Sequence, residues 1–219
     1  MLFPARCPVC GAHGPAPCGA CRAALRPAPP LPPPPGVDSC RSFVAYAGVG
    51  RELVARFKYR NARASIGFLA DGMAALVDAS TVDAVTWVPT TPARRRQRGF
   101  DQGQLLARAV ARRLGHRCRR LLVRGPGPAQ TGQAQAERHR GPTIAAARRR
   151  PPARVLVVDD VVTTGASLAA AARALRSAGV REVTAVTAAR TSLRRLHSGM
   201  AECGSVVESR RQPQAKRPT

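Results

Sequence analysis

The stretch that most restricts how this chain can fold spans residues 155–167 and reads VLVVDDVVTTGAS. Its aliphatic start, VLVV, suits a strand buried on both faces of a parallel sheet. Two acids follow, Asp159 and Asp160, and then hydroxyls gathered around a glycine: Thr163, Thr164, Gly165, Ala166 and Ser167. An Ala-rich helix is predicted over 168–177, with Gly179 placed as a stop signal. In an open parallel sheet, ligands lie beyond the carboxyl ends of the strands. The turn therefore sits where a binding site belongs.

The two halves of the turn call for different ligand chemistry. A helix N-terminus offers unpaired N–H groups and the positive end of the helix dipole, which favours a phosphate. Gly165 lets the backbone approach closely, and Thr163, Thr164 and Ser167 add hydroxyl donors. Carboxylates repel phosphate, so Asp159 and Asp160 suit hydroxyls or a hydrated metal ion, as a ribose diol would supply. A capped helix alone would explain one hydroxyl, not three beside paired acids. The lysine of a GxxxxGK[ST] nucleotide loop is missing, which excludes that class of triphosphatase here.

With these residues in view, VLVVDDVVTTGAS resembles the 5-phosphoribosyl 1-pyrophosphate (PRPP) motif of type I phosphoribosyltransferases. The resemblance implies that Asp159 and Asp160, with Val161 beside them, bind the ribose. Residues 163–167 (Thr163, Thr164, Gly165, Ala166, Ser167) would bind the 5′-phosphate. It implies Mg²⁺ bound along with PRPP. It also assigns the segment Val88, Pro89, Thr90, Thr91 to the pyrophosphate, with Arg98 in RGF the strongest single basic candidate. Asp159 and Asp160 are then the candidate catalytic residues, acting through position and charge.

A broader resemblance covers residues 3–190. The order of an N-terminal double CxxC, FKY at 57–59, VPTTPARRRQRGFDQ at 88–102, a Gln/Glu-Arg segment at 130–138 and the PRPP motif is similar to the ComF family. Asp101 stands where that family usually carries Asn, and ERHRGPTIAA lacks the Asn usual soon after Glu-Arg. The resemblance implies two readings. One is an enzyme that transfers phosphoribosyl to or from a nucleobase. The other is a non-catalytic DNA-uptake component that binds single-stranded DNA and a helicase-like competence protein.

The rest of the chain divides by composition. Cys7, Cys10, Cys18 and Cys21 form C-x2-C-x7-C-x2-C, two knuckles whose thiolates suit a closed, structural Zn²⁺ site. This ribbon is expected over 1–26. PAPPLPPPPG follows, so 27–38 is expected to be a semi-rigid extended linker.

Strands are expected over 42–47, 82–88, 119–123, 154–158 and 182–188, and helices over 51–59, 64–77, 102–114 and 168–177. That alternation predicts an α/β domain of the type I phosphoribosyltransferase kind over 39–190, its mostly parallel sheet covered by helices on both faces. Lys58 falls at the end of a helix, where a cation would cap the dipole or contact a ligand. The long Gly-, Pro- and Gln-rich stretch around Gln130, Glu137 and Arg138 is read either as a flap over the ligand or as a linker. The tail 191–219 is polar and charged, and reads as disordered.

Charge is the remaining signal. Lys and Arg number 36 against 12 Asp and Glu, a net +24 that attracts polyanions. Nearly all of it is Arg in an Ala-, Gly- and Pro-rich chain, so base composition of the coding sequence explains it as well as nucleic-acid binding does. No apolar run reaches the roughly 18 residues of a membrane span, and the N-terminus lacks signal-peptide layout. A cytoplasmic protein without membrane insertion is expected.

Overall fold

The computed structural model describes residues 6–59, 64–125, 142–147 and 150–192. The stretch around Gln130, Glu137 and Arg138, and all but the start of the tail, lie outside these, as do the Lys58 and Arg98 side chains. A short helix α1 (Gly19–Ala23) closes the cysteine segment. Then come β1 (Ser39–Ala45), α2 (Gly48–Tyr59), α3 (Ala64–Ala74), β2 (Ala84–Trp87), α4 (Pro92–Arg98) and α5 (Gln102–Arg113). The chain continues through β3 (Leu122–Arg124), β4 (Ile144–Ala146), β5 (Arg154–Val162), α6 (Ala166–Ser177) and β6 (Glu182–Arg190).

Four strands form one sheet in the order β1-β6-β5-β2, every neighbouring pair parallel. β5 is central, and its alternation divides the core. Leu156 and Val158 pack with Leu53, Phe57, Leu69, Leu106 and Val110 of α2, α3 and α5. Val155 and Val157 pack on the other face with Leu168, Ala172 and Leu175 of α6. Both faces of the sheet are thus covered, and the all-aliphatic strand follows from that double burial. The α/β layering is the one expected.

Several element expectations need correction. β5 does not stop before the acids: Asp159 pairs with Thr187 and Val162 with Arg190, so the acids lie on the strand itself. The basic segment after Pro89 is not all loop. Pro92 is preset for a first helical turn and Ala, Arg and Gln propagate it, giving α4 until Gly99 turns left-handed at φ 76°. The strand expected at 119–123 lies at 122–124, outside the main sheet, paired antiparallel with β4. Helix α3 ends three residues short of the expected limit, and its internal Gly72 has a packing reason. A Cβ there would strike the ring of Phe43, which packs tilted against Phe68 with ring centroids 5.5 Å apart.

The proline-rich run does not bridge solvent; it lies against the domain. Ala45 donates its N–H to the Arg26 carbonyl at 2.8 Å, Pro27 bridges Val44, and the buried Arg190 guanidinium donates to the Leu31 carbonyl at 3.0 Å. Pro34 is buried and sits against Gly165.

Candidate functional site

The loops after β2 and β5 lead to helices on opposite faces of the sheet, α5 on one and α6 on the other. Such a divergence opens a crevice between the two strand ends. A cavity of about 430 Å³ occupies this crevice. Asp159, Asp160 and Val161 line it from the end of β5, Thr163 from the turn, and Ser167 from the first turn of α6. Val88, Pro89 and Thr90 face them from the loop after β2. Residues of two separate motifs, 70 positions apart in sequence, therefore share one space.

The turn has the donor arrangement that suits an anion. Gly165 is the N-cap of α6 with φ 76° and ψ 1°, a left-handed conformation that an L side chain adopts only at a cost. It gives α6 no side-chain cap, so the helix start offers amide donors to a ligand. Thr164 is exposed, and its hydroxyl lies 3.4 Å from the Ala166 N–H that donates to it. The Asp159 carboxylate accepts the backbone N–H of Asp160 at 2.8 Å, which holds it against the strand end. Of the expected loop residues, Thr163 and Ser167 reach the cavity directly; Thr164, Gly165 and Ala166 contribute to the turn that shapes its end.

Asp101, Gln102, Gly103, Tyr46 and Arg124 also line the cavity, and none was singled out for it from the sequence. Asp101 is the N-cap of α5: Oδ1 accepts the Gln104 N–H at 3.3 Å, and Oδ2 accepts Trp87 Nε1–H at 3.2 Å. It thereby ties α5 to the end of β2. The D-x-x-Q pattern ahead of an amphipathic helix was a readable cap signal. Gly103 permits the tight approach, since a Cβ there would lie 3.2 Å from the Val88 carbonyl oxygen. Arg124 donates to the Pro89 carbonyl at 3.3 Å from the β3–β4 ribbon, a placement with no local signature. Of the two threonines expected in the loop after β2, Thr90 lines the cavity, whereas Thr91 does not.

The four cysteines of the double knuckle also come together. The Sγ atoms of Cys7, Cys10, Cys18 and Cys21 lie within 4.8 Å of one another, with Cys10 and Cys18 at 3.6 Å. Four ligands at 2.3 Å around a tetrahedral Zn²⁺ would be spaced by roughly 3.8 Å. Burial opposes ionisation of Cys7, but backbone N–H groups of Cys10, Cys18 and Val9 outweigh it and bring the thiol down to about 6. Burial, then the neighbouring Cys18, Cys10 and Cys7, pushes Cys21 up to about 12. Four thiolates this close would repel one another without a cation, so the donor set fits a metal such as zinc. Cys40 and Cys118 lie apart from the cluster, and burial raises both thiols.

Residues 101–208, just under half of the chain, match the family model for the phosphoribosyl transferase domain. No curated protein matches the sequence. Among solved structures, the chain is similar to a glutamine phosphoribosylpyrophosphate amidotransferase from B. subtilis, with 22% identity and a TM-score of 0.43 over 61% of this chain. It spans only 30% of that enzyme's length. It is also similar to a purine phosphoribosyltransferase from Pyrococcus horikoshii, at 18% identity and TM-score 0.39, over 57% of this chain and 72% of that one. An orotate phosphoribosyltransferase from Aeropyrum pernix matches at 25% identity and TM-score 0.36, over 64% of each chain.

Proposed function

We propose that this chain is a phosphoribosyltransferase-type protein whose crevice binds PRPP and transfers its phosphoribosyl group to or from a nucleobase. The observation that carries the reading is the meeting of Asp159, Asp160, Thr163 and Ser167 with Thr90 around one cavity. The family-model match over 101–208 supports it, because that span contains the whole β5–α6 turn.

In this reading Asp159 and Asp160 hold the ribose hydroxyls, and residues 163–167 anchor the 5′-phosphate at the start of α6. Thr90, with Thr91 behind it, receives the diphosphate. Mg²⁺ bound with PRPP near the two acids would neutralise diphosphate charge. A base nitrogen attacks ribose C1, the C1–O bond to pyrophosphate breaks, and the base gives up its N–H proton. The chain supplies position and charge rather than a covalent nucleophile. Asp160→Asn should lower turnover by about 100-fold or more, as expected when a group that orients the reacting ribose is lost. Pyrophosphate release across a panel of nucleobases tests the reading; no release with any base, in chain that binds PRPP, would reduce it to a binding protein.

The cysteine knuckle is proposed to hold one structural Zn²⁺ and, with the order of motifs, to place the chain in the ComF-like branch as a cytoplasmic protein. One observation favours a second reading, non-catalytic handling of single-stranded DNA alongside a helicase-like partner. The net charge is +24, and Arg95, Arg96, Arg112, Arg117, Arg119 and Arg120 are all exposed. Affinity for single-stranded DNA that falls steeply with salt would favour that reading; salt-independent or absent binding would remove it.

A further inference from the structure

Residues 34–38 run beside α6 from its N-cap to its last turn. Pro34 is buried against Gly165, and Val37 is buried in the same apolar cluster as Leu168 and Ala172. The Asp38 carboxylate accepts from the Arg176 guanidinium at 2.6 Å and from the Val183 N–H at 2.8 Å. The shape of this segment is set locally. Pro35 and Gly36 occupy the centre of a turn closed by the Val37 N–H, which donates to the Pro34 carbonyl at 3.0 Å. Gly36, at φ 81°, takes the left-handed position that a type II turn requires. None of residues 27–38 lines the crevice, so this fastening serves something other than direct contact with a ligand.

Glycine reaches both signs of φ with little preference. A left-handed Gly165 therefore needs an outside restraint if the amides at the start of α6 are to stay aimed at one position. α6 has no side-chain cap to provide it. The Pro34 ring stands in that place, rigid and buried, with Cγ and Cβ 2.6 and 2.9 Å from where a Cβ on Gly165 would lie. We propose that Pro34 is a positioning residue for the β5–α6 turn. The 34–37 turn and the Asp38–Arg176 pair hold its ring on Gly165, and the affinity of the crevice for a 5′-phosphate depends on that contact. The inference rests on the reading of the crevice as a phosphoribosyl site. A turn that holds its binding conformation only a tenth of the time binds about tenfold more weakly.

Calorimetric titration of ribose 5-phosphate into the full chain and its variants tests the assignment. Pro34→Ala should weaken binding by about five- to tenfold. Pro32→Ala removes an exposed proline of the same run, and should bind within about twofold of wild type. Gly72→Ala drives a Cβ into Phe43 on the opposite face of the sheet. It lowers stability but should leave affinity within about twofold, which separates positioning from a general loss of stability. A double-mutant cycle in urea tests the contact itself. Pro34→Ala removes Cγ, the atom nearest to a Cβ at position 165, so Pro34→Ala/Gly165→Ala should lose less stability than the two single losses summed. Wild-type affinity in Pro34→Ala, an equal loss in Gly72→Ala, or an additive cycle would each overturn the inference and leave the crevice reading standing. Absence of ribose 5-phosphate binding by the wild type would contradict the crevice reading, and the inference with it.

Discussion

Gly165 is where backbone conformation, packing and ligand chemistry meet most tightly. Its φ of 76° disfavours any side chain, and a Cβ there would lie 2.6 Å from Cγ of Pro34. Gly165→Ala is therefore expected to destabilise the chain by about 1–3 kcal/mol and to abolish phosphate binding in the crevice. Urea unfolding and a ribose 5-phosphate titration measure the two effects separately. Asp101 gives a second test at this scale. Asp101→Ala removes a helix cap and leaves Trp87 Nε1 without its acceptor, for a loss of about 1–2 kcal/mol, whereas Asp101→Asn keeps an acceptor oxygen and should cost less. The contiguous part of the site was legible in the sequence because a strand, a turn and a helix bring Asp159 through Ser167 together locally. Tyr46 and Arg124 were not, because only the pairing of β1 in the sheet and the β3–β4 ribbon carry them to the cavity.

The main strands and helices were readable from periodicity, and the departures have physical causes. β5 runs past its aliphatic residues because backbone pairing to β6 continues through Asp159 and Val162, regardless of side-chain polarity. α4 was hidden by its arginines, which propagate a helix well but read as a basic loop. Gly72 lies in α3 against propensity because Phe43 occupies the space a Cβ would need. Gly72→Ala should thus destabilise by about 1–3 kcal/mol despite its better helix propensity, seen as a lower urea midpoint. At the start of the β2–β5 pair, Asp83 accepts from the Arg154 side chain at 2.7 Å and from its N–H at 2.9 Å. These hydrogen bonds hold the Asp83 carboxyl below its usual range. A depressed folded value means that its contribution is complete above about pH 4, the unfolded value, and is lost as pH falls through the folded one. Asp83→Asn should accordingly flatten the acid side of the stability profile below pH 4.

Across the whole molecule, the cysteine knuckle and the proline-rich run are packed onto the α/β domain. Val9 and Leu25 reach the core on the α2–α3 side, and the Arg22 guanidinium lies 5.1 Å from the Phe68 ring. The proline run then crosses to Gly165, so the cysteine segment and the β5–α6 turn are joined by a continuous path of contacts. Metal analysis should find one zinc per chain, lost in Cys21→Ser. Chelation should lower the melting temperature by several degrees, on the scale of about 2–4 °C per kcal/mol for a chain of this size. No helix among the described residues is long and apolar enough to cross a membrane. The sequence made the cysteine cluster legible through its spacing, but not the docking of the linker, because proline specifies an extended backbone and not what that backbone lies against.

The crevice between β2 and β5 is proposed to hold a phosphoribosyl ligand by its diol and its 5′-phosphate at once. Calorimetric titration of PRPP with Mg²⁺ into the wild-type chain and Asp160→Asn measures this directly. One PRPP should bind per wild-type chain, weakened by at least about tenfold in Asp160→Asn, with the fold intact by circular dichroism. No binding by the wild type, or equal binding by both, would contradict it.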